Sequence, residues 1–139
     1  MTAKIKLSGS CLCAKIKIQA EIGEETFSAC HCNSCQTWGG SALLAIHAEK
    51  NVVFGGEENI SVYSSSEWAE RGFCKHCGTH LFLRLKVNQH HYLPLGLFKN
   101  IDKLNFTSQI FIDKKPPNYS FFNQTETLTG AEFFAKYIS

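Results

Sequence analysis

Four groups account for all seven cysteines of this 139-residue chain: Cys11-Leu12-Cys13, Cys30-His31-Cys32, Cys35 and Cys74-Lys75-His76-Cys77. Thiolate is both a soft metal ligand and a nucleophile, and these groups have the spacing of metal ligands. Residues two apart on an extended strand share a side, so Cys11 can converge with Cys13 on one ion, and Cys30 with Cys32 on another. Asn33-Ser34 is a turn-forming pair able to return Cys35 to the ion of Cys30 and Cys32. Cys74 and Cys77 make a tight knuckle, and Gly78 after it can adopt a left-handed backbone. Taken alone, a C-x-x-C pair reads equally as a redox couple, and a single cysteine as a small buried hydrophobe. Four groups that use every cysteine favour metal. Disulfides would leave one thiol over from an odd count.

Zinc bound by thiolates is tetrahedral, with bonds of about 2.3 Å. The knuckle offers two ligands and so does Cys11/Cys13. Pairing them gives a closed site of Cys11, Cys13, Cys74 and Cys77 that staples the first strand to the middle of the chain. Cys30, Cys32 and Cys35 then remain as three ligands around an open position, which is how catalytic zinc is commonly held. Counting ligands prefers this partition, and two zinc ions per chain, over other groupings of the seven.

The elements that must carry these groups are mostly strands. Ile16 and Ile18 alternate with Lys15, Lys17 and Gln19 as on a half-buried strand, and Lys4 to Leu7 alternates similarly. Further strands are expected at 27–32, 42–47, 60–63, 81–85, 91–95 and 108–112, punctuated by Gly39-Gly40, Gly55-Gly56 and Pro116-Pro117. Only the C-terminal segment reads as helix: Thr129 and Glu132 fit a capping box, with Phe133, Phe134, Tyr137 and Ile138 on one face. The expectation is a single domain over residues 1–139, mainly β with a short C-terminal helix.

Composition limits the function classes. With 44% hydrophobic and 19% charged residues the chain is globular, and no apolar run reaches membrane-spanning length. No secretory leader is apparent and disulfides are disfavoured, so a cytoplasmic setting is expected. The formal charge of +2 falls to about −1 once seven thiolates and two zinc ions are included, which leaves no footprint for nucleic acid.

Gly9-Ser10-Cys11-Leu12-Cys13, Cys30-His31-Cys32-Asn33-Ser34-Cys35 and Arg71-Gly72-Phe73-Cys74-Lys75-His76-Cys77-Gly78-Thr79-His80-Leu81 resemble the glutathione-dependent formaldehyde-activating enzyme family, or CENP-V/GFA domain. The resemblance implies an Mss4-like, folded-over β architecture stapled by zinc. It implies structural zinc at Cys11, Cys13, Cys74 and Cys77, and catalytic zinc at Cys30, Cys32 and Cys35. The implied activity is carbon–sulfur lyase chemistry that joins glutathione, or a similar small thiol, to formaldehyde. Three positions depart from the family pattern. Ala14 replaces a usual glycine, Gln109 stands where a histidine commonly opens the late strand, and Pro117 stands in Pro116-Pro117-Asn118-Tyr119 where Pro-Trp often occurs.

The remaining candidates have bland readings beside the functional ones. His31 lies between two ligands and should point away from their ion, as a satisfied structural histidine rather than a proton shuttle. His47, His76, His90 and His91 read as surface or core groups. Trp38 suits either a thiol pocket or the core, and Ser34 either a sulfur hydrogen bond or a turn. Rival functions are a non-catalytic partner-binding module of the same fold and a metal or redox sensor.

Overall fold

The computed structural model describes residues 4–138, which form two compact units. The first comprises residues 4–25 and 46–104, the second residues 26–45 and 105–138.

In the first unit, β1 (Ile5–Ser10), β2 (Lys17–Ile22) and β5 (Val52–Gly55) form an antiparallel sheet with β2 at its centre. Register places Leu7 opposite Ala20, and Ile16, Ile18, Ala20 and Ile22 are buried, as the alternation predicts. A second antiparallel set runs β6 (Ile60–Ser64), β7 (Ala69–Cys74), β8 (His80–Leu85) and β9 (His91–Pro94). Leu81, Phe82 and Leu83 are buried in succession, so both faces of β8 are covered. Gly72 on β7 lies across from Phe82, and a Cβ there would sit 2.2 Å from its ring. Glycine is the residue that lets the aromatic fill that space.

In the second unit β3 (Thr26–Cys30) lies between parallel β10 (Asn105–Ile110) and antiparallel β4 (Leu43–Glu49), and β11 (Glu126–Leu128) pairs parallel to β10. The chain passes from one unit to the other within β4. Phe27 stacks on Phe106 at 5.2 Å across the β3–β10 pair. Helix α2 (Gly130–Tyr137) starts with the expected capping box of Thr129 and Glu132, and buries Phe133 against Phe111.

The fold is mostly β, as expected, but it has a second helix. Residues 33–39, where the sequence suggests only a turn, form α1 (Asn33–Gly39). Cys32 is its extended N-cap, with its sulfur accepting from the Cys35 N–H, and left-handed Gly40 ends it through an N–H bond to the Gln36 carbonyl. Strands β5, β7 and β11 also go beyond the sequence reading. Among the described residues no helix is long and apolar enough to cross a membrane.

Candidate metal centres

Cys11, Cys13, Cys74 and Cys77 come together in the first unit, with all four sulfurs within 4.8 Å of one another. The Sγ atoms of Cys11 and Cys13 are 3.6 Å apart, and those of Cys13 and Cys74 are 3.7 Å apart. A tetrahedral ion with 2.3 Å bonds needs ligand atoms about 3.8 Å apart, so the four sulfurs fit zinc.

The way they converge corrects the strand-alternation argument. β1 ends at Ser10, and Cys11 to Ala14 form a turn closed by the Ala14 N–H on the Cys11 carbonyl at 3.0 Å. Ala14 takes φ +66°, a left-handed conformation that costs a Cβ-bearing residue about 1–2 kcal/mol. A glycine at this position would relieve that cost. The second knuckle is as expected: the Gly78 N–H reaches the Cys74 carbonyl at 2.9 Å, and Gly78 has φ +77°. Thr79 links the two knuckles. Its hydroxyl oxygen accepts from the Leu12 N–H at 3.0 Å and lies 3.1 Å from the Cys77 sulfur.

Cys30, Cys32 and Cys35 form the second cluster, in the second unit, and all three are buried with sulfurs within 4.8 Å of one another. Cys30 is the last residue of β3, Cys32 caps α1 and Cys35 lies in the first turn of that helix. Helix geometry rather than a reverse turn therefore brings Cys35 to the other two.

The electrostatics of both clusters suit a cation. Hydrogen bonds from Cys32 and Cys35, with burial, push the Cys30 thiol well above its ordinary range. In the first cluster, hydrogen bonds from the Thr79 side chain and backbone draw Cys77 down to about 5. Against the lowering effect of the Lys15 backbone hydrogen bond, desolvation and the thiols of Cys11, Cys77 and Cys74 push Cys13 up to about 11. Crowded thiols cannot all ionise by themselves. A dication removes that penalty, because coordination favours every thiolate together. Both donor sets suit a thiophilic metal.

His31 lies between Cys30 and Cys32 in the chain and is fully buried. Its Nε2 is 2.8 Å from Oε1 of Gln109, itself buried, and the Gln109 amide donates to the Thr125 hydroxyl at 3.0 Å. His31 Nδ1 has no hydrogen-bond partner among the described residues, so the expected satisfied histidine is satisfied at one nitrogen only. Gln36 of α1 donates to the His31 carbonyl at 2.6 Å and to the Lys114 carbonyl at 3.0 Å, tying the helix beside the cysteines to the segment after β10. Sequence reading missed Gln36 and Thr125. A polar residue outside any motif carries no signal until the fold gives it a partner. Gln109 occupies the position noted for its departure from the family pattern, and here it is the partner of His31.

The other candidates take bland places. Ser34 is exposed and Trp38 half-buried on α1. His76 is exposed and hydrogen-bonded to Asn59 Oδ1 at 2.7 Å. His91 bonds the Glu49 carbonyl at 3.1 Å, and Pro117 lies in an exposed stretch outside any strand or helix.

Mostly β architecture with one four-cysteine and one three-cysteine cluster defines a class of β protein with two candidate metal centres. Comparison with known proteins narrows it. The profile of the family described as glutathione-dependent formaldehyde-activating enzyme matches residues 6–114, and the chain belongs to that family. A protein of Schizosaccharomyces pombe named an uncharacterized lyase is 38% identical over 125 residues, covering 89% of this chain and 91% of that protein. A crystal structure of a Rhodobacter sphaeroides protein is similar in fold, with a TM-score of 0.58 at 20% identity over 73% of this chain and all of that one.

Proposed function

We propose that this protein is a zinc-dependent carbon–sulfur lyase resembling S-(hydroxymethyl)glutathione synthase, which joins a glutathione-type thiol to formaldehyde or a related small electrophile. The observation that carries the reading is the three-cysteine cluster. Cys30, Cys32 and Cys35 are buried and mutually within 4.8 Å, and no fourth His, Cys, Asp or Glu joins them among the described residues. Three protein ligands suit a catalytic zinc, whereas the set of four suits a structural one.

Zinc held by Cys30, Cys32 and Cys35 would supply positive charge that keeps a substrate thiol as thiolate near neutral pH. The rest of the work falls to the chain. Three thiolates leave the centre with a net charge of about −1, which favours holding a soft sulfur over generating hydroxide. Burial of all three cysteines shields their sulfurs from water. The Cys32 cap and the Gln36 bonds fix α1 against the end of β3, so the ligands are held in place before substrate arrives. The family's description supports a small thiol as partner. One family profile running through segments of both units supports treating the chain as a single functional domain with two zinc ions.

The test is Cys35→Ala, with zinc content and turnover of S-(hydroxymethyl)glutathione measured together. We expect one zinc lost and turnover lowered more than about 100-fold, beyond the usual effect of removing a residue that merely supports a ligand. Unchanged turnover with one zinc missing would end the lyase assignment of this cluster and favour a binding module.

A further inference from the structure

We propose that His47 and His90 form a third metal site, on the first unit and separate from both cysteine clusters, which takes a borderline divalent cation such as nickel(II), copper(II) or zinc through two imidazole nitrogens.

The geometry is specific. His47 Nε2 and His90 Nδ1 lie 3.1 Å apart. Metal–imidazole bonds of about 2.0–2.1 Å place two nitrogens roughly 2.9 Å apart at a right angle and roughly 3.4 Å apart at the tetrahedral angle. The observed separation lies between those limits, so a cation set about 1.3 Å off the line between the two nitrogens can bond both, displacing the hydrogen bond they share. The proton of that bond moves to the far nitrogen of its own ring, a change of tautomer that frees the bridging nitrogen for the cation.

The His47 ring is held by packing, and the His90 backbone by hydrogen bonds. His47 stacks on buried Tyr92, with ring centroids 4.6 Å apart and planes within 8°. His90 is anchored by its backbone: its N–H donates to Asn88 Oδ1 at 2.9 Å, and its carbonyl accepts from the Leu85 N–H at 3.0 Å. The stacked His47 ring has little rotamer freedom left to lose on binding. The charge state also suits a ligand. Desolvation, then the neighbouring His90, lower the His47 pKa, which favours the neutral ring that a metal ligand needs. Glu49 and Glu24 act on His47 in the opposite sense, and their negative charge favours an incoming cation. His47 is exposed, so the remaining coordination positions can be filled by water. Imidazole with oxygen co-ligands is the donor set that suits nickel, copper and zinc.

The test uses protein with both cysteine clusters loaded with zinc. Nickel(II) is titrated calorimetrically into wild type, His47→Gln, His90→Gln and the double variant, while a zinc-responsive dye reports any release. One nickel per chain is expected for wild type, with no zinc released and binding weakened at least ten-fold by either substitution. On wild type alone, paramagnetic broadening of imidazole resonances should centre on His47 and His90. Equal affinity in the double variant, broadening centred elsewhere, or zinc released in step with nickel uptake would each overturn the site. None of these readouts depends on lyase turnover, so the site stands or falls independently of the catalytic reading.

Discussion

The two cysteine clusters are built in opposite ways. Cys11 and Cys77 are separated by most of the first unit's sequence, and their cluster lies near the surface, with Cys13 exposed and Cys77 half-buried. Cys30, Cys32 and Cys35 fall within six residues, and all are buried. Ions at the two places would therefore do different work. Closing a long loop removes much of the freedom of the unfolded chain, so metal binding at the four-cysteine cluster is largely folding energy. Closing a loop of six residues removes little. A local cluster kept dry at the start of a helix has no comparable role as a staple, and its burial makes sense as preparation for chemistry.

The contrast can be broken most directly at the staple. Cys74→Ser should destabilise the protein by more than about 4 kcal/mol and abolish cooperative thermal unfolding, because loss of a structural metal ranks among the largest single-residue effects. Cys35→Ala should leave a cooperative transition while removing turnover. If calorimetry gave the two variants similar melting temperatures, the division of labour would be wrong.

Smaller effects sharpen the comparison around each cluster. A Cβ at Gly9, two residues before Cys11, would sit 2.2 Å from the Leu97 carbonyl oxygen, where Gly9 bridges to Phe98. Gly9→Ala should cost about 1–3 kcal/mol in urea unfolding and hasten zinc loss to a chelator from the four-cysteine cluster only. At the other cluster, Gln109→Leu leaves both nitrogens of buried His31 unpaired. The expected loss is about 1–3 kcal/mol, accompanied by faster zinc release from Cys30, Cys32 and Cys35. The least effect is a gain. Ala14→Gly relieves a left-handed Cβ and should raise stability by about 0.5–1 kcal/mol, after allowing for glycine's greater unfolded-state freedom. An unchanged urea midpoint would show that the turn at Cys11–Ala14 is not strained.

Much of this was legible beforehand where local chemistry and final environment agree. Alternation around Ile16 and Ile18 marked a strand face because those residues are buried, and Thr129 with Glu132 marked a helix start because capping is a local interaction. β7 was not legible: it buries Arg71 and relies on Gly72, both of which blur a hydrophobic pattern. Helix α1 was hidden for a related reason. It has seven residues and its cap is a cysteine, outside the usual serine, threonine, aspartate and asparagine.

The order and spacing of its cysteines determined by themselves that this chain carries two groups with the ligand count of metal centres, because valence and tetrahedral geometry need only the number and type of donors. Tertiary structure alone decided how Cys11 and Cys13 meet, that Cys35 arrives on a helix, that Gln109 reaches His31, and that His47 and His90 stand 3.1 Å apart. The last two contacts depend on strands brought together from distant parts of the chain, and no local pattern encodes the separation of two side chains that only a sheet makes neighbours.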